Sequence, residues 1–290
     1  MAMSASPIAI GSVAAELGEG PVWRAGALWF VDIKGRRIHR LSPQTGETVS
    51  WDAPAQPGFI APLVGGDWIA GLQDGLHRFD PESGDFSHLR SVEDPALGNR
   101  LNDSFVDARG RLWFGSMHDD ERLLTGALYR LDGAGLTRLD DGYCITNGPA
   151  ASPDGRSLYH TDTLARRIYV FDLDAAGGLT NRRVFVQLEA GAGYPDGPTV
   201  DAQGCVWTGL FGGWGVRRYS PSGDLLATIA FPVANITKIA FGGEDLRTIY
   251  ATTAWKGLSE AQRAAQPLAG RVFTFKAETP GLPQNEVLHA

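Results

Sequence analysis

The chain repeats one short pattern six times, and this repetition limits the folds open to it. Each unit contains a run of strand-forming residues, and the second residues of the runs are Trp29, Ile69, Trp113, Tyr159, Trp207 and Tyr250. Successive markers are 40, 44, 46, 48 and 43 residues apart. Four-stranded propeller blades are about 40–50 residues long. The sequence therefore predicts an all-β fold, a six-bladed β-propeller of four-stranded antiparallel blades around a central channel. A β-sandwich with coincidental spacing is the alternative.

The segments between the markers support the same architecture. Most runs are followed by a second run with apolar and polar residues in alternation, as in residues 37–41 and 76–79, and then by a Pro-x-x-Gly turn. Period-two alternation is typical of half-buried strands. Residues 8–13 precede the first repeat, and we expect them to pair with the sixth blade, because ring closure removes exposed strand edges. A helix is predicted only over residues 258–266, with Ser259 as its cap. The repeats continue without a linker, which predicts a single domain over residues 1–290.

Charge and cysteine content narrow the partners and the compartment. The formal net charge is −7, which argues against nucleic acid and anionic membranes, since both need a basic patch. The sequence has no run near the roughly 20 apolar residues of a membrane helix. Cys144 and Cys205 lie on different repeats, and we expect reduced core thiols of a cytoplasmic protein in preference to a disulfide. No obligate protein partner is evident.

The common catalytic motifs are absent from the sequence. There is no Gly-x-Ser-x-Gly elbow, no Cys-x-x-Cys, no His-Glu-x-x-His and no phosphate-binding glycine loop. None of the six histidines has metal-ligand spacing to another. His39 and His77 fall in second runs of their repeats and are expected to be packing or surface residues. A catalytic role is an open alternative for His118 and His160.

Four repeats carry a polar residue with a side-chain oxygen shortly before the strand marker. The offsets are nearly constant, with Glu19 10 residues before Trp29, Asn102 11 before Trp113, Asn147 12 before Tyr159 and Asp196 11 before Trp207. A recurring offset means a recurring place in the blade. Equivalent places at the start of the inner strands face one another across a propeller axis, so these side chains are predicted to converge.

Three of these residues form a candidate metal site. Taken singly, Glu19, Asn147 and Asp196 could be turn residues, because Asn-Gly and Asp-Gly are strong turn formers. Taken together, two carboxylates and an amide would bury repelling charge unless a cation lay between them. An oxygen-only set suits calcium, magnesium or manganese, with iron(II) or zinc possible. Three protein ligands leave positions open for water or substrate, as in catalytic sites.

At these residues the chain resembles the senescence-marker-protein/gluconolactonase family of six-bladed propeller sugar lactonases. The matching phrases occur in order along essentially the whole chain: residues 17–23, 30–33, 99–103, 115–117, 146–148, 152–155 and 195–197, with residues 257–270 similar to the family's last blade. Within the family the chain is most similar to bacterial pentonolactonases such as xylonolactonase or arabinonolactonase. The resemblance implies hydrolysis of a sugar lactone, a small-molecule substrate, to the aldonic acid.

The resemblance also implies roles for particular residues. Glu19, Asn147 and Asp196 would bind one divalent ion, and Arg100 and Asn102 would hold the sugar. Family members often have a glutamate for sugar hydroxyls where this chain has Asp120, and Asp120 is one methylene shorter. The neighbouring loop, residues 117–121, could be shifted in register. Asp119 or His118 could then contact substrate in its place.

Lactone hydrolysis needs an attacking water and a place for negative charge on the carbonyl oxygen, and a bound ion serves both needs. Asp196 is the candidate general base. Arg100 presents a fork of donors suited to ring and carbonyl oxygens, although a blade-to-blade ion pair is an alternative for it. Two other functions stay open: a promiscuous esterase or organophosphate hydrolase, and a non-catalytic calcium-binding propeller.

Overall fold

A computed structural model describes residues 6–289 of the chain. These residues form six sheets, each of four antiparallel strands. The strands are, in chain order, β1 (Ile8–Ile10), β2 (Gly18–Arg24), β3 (Ala27–Asp32), β4 (Arg37–Leu41), β5 (Thr48–Asp52), β6 (Phe59–Pro62), β7 (Trp68–Leu72), β8 (Gly75–Phe79), β9 (Phe86–Arg90), β10 (Asn99–Val106), β11 (Leu112–His118), β12 (Gly126–Asp132), β13 (Gly135–Tyr143), β14 (Thr146–Ala151), β15 (Ser157–Asp162), β16 (Arg167–Leu173), β17 (Leu179–Gln187), β18 (Tyr194–Val200), β19 (Val206–Phe211), β20 (Gly215–Tyr219), β21 (Leu225–Ala230), β22 (Asn235–Gly242), β23 (Thr248–Ala254) and β24 (Val272–Lys276).

The sheets are the six blades of a propeller, which confirms the predicted fold class. Blades 1 to 5 are β2–β5, β6–β9, β10–β13, β14–β17 and β18–β21, and blade 6 combines β22, β23 and β24 with β1. The first strand of each blade contacts the first strands of its two neighbours, in chain order, around the ring. All six sequence markers lie in second strands of their blades. We call the face where these inner strands begin the upper face, and the opposite one the lower face.

The N-terminal strand closes the ring as predicted. In β1, Ile8 lies opposite Thr274 and Ile10 lies opposite Val272 of β24. The paired segment is shorter than the predicted 8–13, because Gly11 has a positive φ of 64°, and a left-handed residue ends an extended strand.

Helix is confined to short segments within the described part of the chain. α1 (Glu260–Ala265) lies inside the predicted 258–266 and begins with a capping box between Ser259 and Gln262. A 3₁₀ turn at Pro95–Leu97 was not predicted. No helix in residues 6–289 is long and apolar enough to cross a membrane.

Aromatic side chains of the first and second strands fill the spaces between blades. Trp29 of blade 1 packs on Trp68 of blade 2, with ring centroids 4.6 Å apart. Phe59 of blade 2 packs on Phe114 of blade 3 at 5.6 Å. Large buried aromatic surfaces contribute strongly to core stability, so each blade is held mainly by its neighbours.

Most inner strands contain the same irregularity. In β2, β10, β14, β18 and β22 the pairing with the second strand skips one residue, and β6 pairs without a shift. Each irregularity is a bulge of one extra residue that follows Glu19, Leu101, Asn147, Pro195 or Ile236. A bulge redirects side chains and is frequent beside functional sites. In five of the six blades a bulge therefore redirects the side chains beside it, at the same height along the channel.

The C-terminal segment runs across the lower face. Gly281 bridges to Asp201 of blade 5, and Val287 bridges to Leu63 of blade 2. The backbone N–H of Leu288 then donates to the carbonyl oxygen of Gly110 in blade 3, at 3.1 Å. Leu282 and Asn285 line the lower part of the channel. Because this segment covers the lower opening, the upper face offers the more open approach to the channel.

His160 is buried in blade 4 and predicts acid sensitivity. Neither of its ring nitrogens has a hydrogen-bond partner in the protein, and its ring packs edge-on against Tyr143. Burial, with a smaller contribution from Arg182, lowers the pKa of His160 to about 3. The unfolded chain therefore binds a proton near pH 6.5 that the folded chain refuses, and stability is lost as pH falls from about 6.5 towards 3.

As pH falls from 8 to 5, we expect protonation of His160 in the unfolded chain to lower the free energy of unfolding by about 2 kcal/mol. His160→Phe should lose that part of the pH dependence, because phenylalanine cannot be charged. Urea denaturation at both pH values measures the difference, and His289→Gln, at an exposed histidine, is the control. An unchanged pH dependence in His160→Phe would contradict this assignment.

Candidate active site

Five of the six predicted site residues meet in one cavity on the upper face. Glu19, Arg100, Asn102, Asn147 and Asp196 all line a cavity of about 200 Å³. All five are buried and lie on inner strands of four different blades. The structure therefore brings together the four residues of the recurring offset, Glu19, Asn102, Asn147 and Asp196.

The bulges explain the uneven spacing of these residues in the sequence. Glu19 and Asn147 are the last paired residues before the bulges of β2 and β14. Asn102 and Asp196 lie one residue further on, inside the bulges of β10 and β18. Because the strands depart from regular alternation at this point, residues at slightly different offsets can face the same cavity.

Glu19 and Asp196 place two carboxyl groups side by side inside the protein. Burial, with the nearby Asp103 carboxylate adding to it, raises the pKa of Glu19 to about 8. Burial, with the charge of Glu19 adding to it, raises the pKa of Asp196 well above its usual value. Only one backbone donor from the next residue reaches each carboxylate, Gly20 N–H at 2.7 Å and Gly197 N–H at 3.0 Å. The pair therefore retains a proton near neutral pH unless a cation compensates the charge.

Asn147 presents its amide oxygen to the same region. Its Nδ2 donates to Thr163 Oγ1 at 2.9 Å, and its Oδ1 accepts from Asn102 Nδ2 at 2.9 Å. Thr163, which follows β15, was missed by the sequence analysis because it lies in a loop with no repeated offset. Its hydroxyl fixes which end of the Asn147 amide faces Asn102 and the cavity.

Arg100 is buried beside these oxygens and held by acceptors on its own blade. Its Nε donates to Asp119 Oδ1 at 3.0 Å, and its Nη1 donates to Asn102 Oδ1 at 2.6 Å. Burial lowers the pKa of Arg100, and the charge of Asp119 opposes that effect. Arginine stays charged in proteins, so a fixed cation borders the cavity. The ion pair that we considered for Arg100 exists, but with a partner in its own blade.

Asn102 connects the arginine to the metal-ligand candidates. Its Oδ1 accepts from Arg100, and its Nδ2 donates to the Thr146 carbonyl oxygen at 2.6 Å as well as to Asn147. Both ends of the amide are therefore engaged by the protein. The geometry suits a residue that orients Arg100 and Asn147 while lining the cavity.

The structure does not bring Asp120 to the cavity. Asp120 is exposed and pairs with Arg122, whereas the next residue, Glu121, lines the cavity. Asp119 does not line the cavity and accepts from Lys34 Nζ at 2.7 Å as well as from Arg100 Nε. The carboxylate that this loop brings to the cavity is Glu121.

A buried ion pair lies directly beneath the cavity. Lys238 Nζ of blade 6 donates to Asp103 of blade 3, and the Asp103 carboxylate also accepts from Gly148 N–H at 2.8 Å. A Cβ on Gly197 would lie only 2.6 Å from Asp103 Oδ2, so glycine after Asp196 makes room for this pair. The sequence spacing indicates the same place in the blade for both residues, since Asp103 stands 10 residues before Trp113 and Lys238 stands 12 before Tyr250.

One side of the cavity is apolar. Leu164, Tyr194 and Phe211 of blades 4 and 5 line it, and Tyr194 lies opposite Phe211 across β18 and β19. The guanidinium of Arg166 lies 4.5 Å from the Tyr194 ring centroid, which helps to fix that ring. The two histidines considered for catalysis, His118 and His160, do not line the cavity.

The donor set fits a hard divalent cation. Within residues 6–289 no three histidine, cysteine, aspartate or glutamate side chains are placed to hold one metal ion, so a site here depends on the Asn147 amide as its third ligand. Two carboxylates and an amide oxygen are ligands that calcium, magnesium and manganese prefer. Burial raises the pKa of both acids, and a cation between them would favour their charged forms.

Comparison with known proteins gives a consistent family. The family model described as SMP-30/Gluconolactonase/LRE-like region matches residues 17–255. The chain is 35% identical to 6-deoxy-6-sulfogluconolactonase of Pseudomonas putida, over 91% of this chain and 92% of that protein. It is 36% identical to L-arabinolactonase of Azospirillum brasilense, over 92% and 90%. The crystal structure of a calcium-binding protein, regucalcin from Agrobacterium tumefaciens, superposes with a TM-score of 0.93 at 28% identity, over 98% and 97%.

Replacing Glu19 tests the charge balance without any assay of activity. In the cation-free protein the raised pKa of Glu19 means that stability falls as pH rises from about 4.5 to 8, because the folded state retains a proton that the unfolded state releases. Glu19→Gln should flatten this fall. A divalent cation at 100 times its dissociation constant should stabilise the wild type by about 2.7 kcal/mol, and Glu19→Gln much less.

Thermal denaturation between pH 5 and pH 8.5, with and without calcium or manganese, measures both effects. Glu82→Gln, at an exposed glutamate, is the control and should behave as the wild type. A full cation-dependent gain in Tm for Glu19→Gln would show that Glu19 is not a ligand.

Proposed function

The chain belongs to the SMP-30/gluconolactonase/LRE-like family, and we propose that it hydrolyses a sugar lactone to the aldonic acid with one divalent cation. The observation that carries this proposal is the convergence of Glu19, Asn147 and Asp196 beside the buried Arg100 at the upper end of the channel. A non-catalytic propeller has no need of such a costly group of buried charges next to an accessible cavity.

Glu19, Asn147 and Asp196 would hold the cation. When bound, a divalent ion polarises an ester carbonyl and increases the acidity of water. The oxygen-only set favours calcium, magnesium or manganese over iron(II) or zinc. The similarity to a regucalcin described as calcium-binding supports a divalent ion.

Asp196 is the proposed general base. With a cation bound, its carboxylate would be deprotonated, which is the form that can accept a proton from water. The water oxygen forms a bond to the lactone carbonyl carbon while its proton passes to the Asp196 carboxylate. When the ring C–O bond breaks, the same proton can return to the leaving alkoxide oxygen, so the residue ends the cycle unchanged.

The remaining walls suit a polyhydroxylated ring. Arg100 offers fixed donors for the carbonyl oxygen or a ring hydroxyl, Asn102 orients Arg100, and Glu121 takes the place proposed for Asp120 as an acceptor for hydroxyls. The apolar side formed by Tyr194 and Phe211 can pack against the C–H face of the sugar. We propose a pentonolactone as substrate, supported by the similarity to an L-arabinolactonase.

Two free, buried thiols, Cys144 and Cys205, support a reducing compartment such as the cytoplasm for this activity. The cavity is of a size for one small molecule. We propose a small sugar lactone as the partner of this site, with no role for nucleic acid or membranes.

A panel of lactones tests the function. We expect the purified protein to hydrolyse pentono- and hexonolactones, with pentonolactones preferred, to lose the activity with chelator and to regain it with a divalent cation. Asp196→Asn should lose roughly 100-fold or more in kcat, the range expected when a general base is removed. Asp172→Asn, at an exposed ion pair on blade 4, is the matched control.

Two results would contradict the proposal. One is a wild-type protein that hydrolyses none of the lactones in the presence of any of the five cations. The other is Asp196→Asn with wild-type kcat at saturating cation, which would remove the base assignment. Arg100→Ala should keep its cation, because Arg100 is proposed to contact substrate and not the ion.

A further inference from the structure

Two ion pairs cross the ring between the same two blades. Lys238 of β22 pairs with Asp103 of β10, and Lys256, which follows β23, pairs with Glu121, which follows β11. We call these the lower pair and the upper pair. Blades 3 and 6 are opposite each other in a six-membered ring, so each pair spans the channel. The candidate site lies between them.

The two pairs have different surroundings. In the lower pair the side chains of Lys238 and Asp103 are 9% and 1% exposed, and Lys238 Nζ also donates to the Ser104 carbonyl oxygen at 3.0 Å. In the upper pair the side chains of Lys256 and Glu121 are 26% and 35% exposed. Both upper residues line the cavity. The lower pair is a floor, and the upper pair lies at the mouth.

The backbones on both sides of the upper pair are fixed. The Lys256 N–H donates to the Glu16 carbonyl oxygen at 2.8 Å, and the Lys256 carbonyl oxygen accepts from Asn235 Nδ2 at 3.1 Å. Glu121 has a positive φ of 58°, and its N–H donates to the His118 carbonyl oxygen at 2.9 Å. Left-handed conformations of non-glycine residues are costly and concentrate at functional sites. Only the side chains are left free to move.

We propose that Lys256, through the upper pair, is both a gate over the cavity and a second recognition group, beside Glu121, for hydroxyl groups of a neutral polyhydroxylated lactone. This inference rests on the proposed function. A half-exposed ion pair contributes little stability, so it opens easily. A hydroxyl can accept from the Lys256 ammonium and donate to the Glu121 carboxylate at once, which replaces one ion pair by two charge-assisted hydrogen bonds.

The same arrangement disfavours other substituents. An anionic group placed near Lys256 would also meet the Glu121 carboxylate. An unsubstituted ring would leave both charged groups without new partners. A purely structural role is less suited to the upper pair, because the lower pair and the pairing of β1 with β24 already join the ring. The upper pair therefore sets which lactones enter and stay.

The test compares two substrates in two variants, Lys256→Met and Glu121→Gln. For a pentonolactone we expect KM to rise roughly tenfold or more, the effect of losing one hydrogen bond to a charged group, with kcat nearly unchanged. For an unsubstituted lactone of the same ring size KM should stay constant or fall. Lys276→Met and Glu189→Gln, which alter a lysine and a glutamate that do not line the cavity, are the matched controls.

Equal changes in KM for both substrates, or none, would overturn the proposal. It would also be overturned by a lactone with an anionic substituent that binds the wild type more tightly than its neutral counterpart and loses that advantage in Lys256→Met. Cation content, measured on each variant, should equal that of the wild type.

A binding measurement separates this inference from the proposed function. Calorimetric titration with a pentitol needs no turnover. Should the wild type hydrolyse no lactone, weaker pentitol binding by roughly tenfold in Lys256→Met would still support the recognition role. Wild-type protein that binds no pentitol, or variants that bind it unchanged, would overturn it.

Discussion

Burial of neighbouring acids at the propeller axis is the constraint to which the rest of the site responds. Burial, with the charge of Asp103, raises the pKa of Glu19, and burial, with the charges of Glu19 and Asp103, raises that of Asp196. Lys238 compensates the charge of Asp103. Burial of unpaired charge is expensive, so the remaining two carboxylates keep protons or acquire a cation. The position of the third oxygen, from Asn147, favours the cation.

A bulge that recurs in the inner strands brings these side chains together without any change in the blade architecture. One bulge recurs in five inner strands, and each blade places a different side chain at it: Glu19 before the bulge of β2, Asn102 and Asp103 within that of β10, Asn147 before that of β14, Asp196 within that of β18 and Lys238 within that of β22. Blade 2 has no bulge and contributes the buried Phe59 to the interface with blade 3. The side chains at the bulge therefore differ in chemistry between blades, whereas the bulge itself is the same.

The repeated part of the molecule could be predicted from the sequence, and the irregular part could not. Blade number and the convergence of Glu19, Asn147 and Asp196 followed from spacing, because equivalent blade positions meet at the axis. Glu121, Lys256 and Thr163 come from upper loops whose lengths differ between blades, so no offset locates them. Lys238 stands 12 residues before its strand marker, as Asn147 does. It was not predicted, because the recurring offset was interpreted through side-chain oxygens that could bind a metal.

Calorimetric titration of the cation-free protein with manganese or calcium, in two buffers of different ionisation enthalpy at pH 7, tests the central claim most directly. With the pKa of Glu19 at about 8 and that of Asp196 raised, cation binding must displace protons. The account predicts one cation per chain and a release of protons that becomes smaller as pH rises above 8, where Glu19 is already deprotonated. Saturable binding without proton release, or no binding at all, would contradict it.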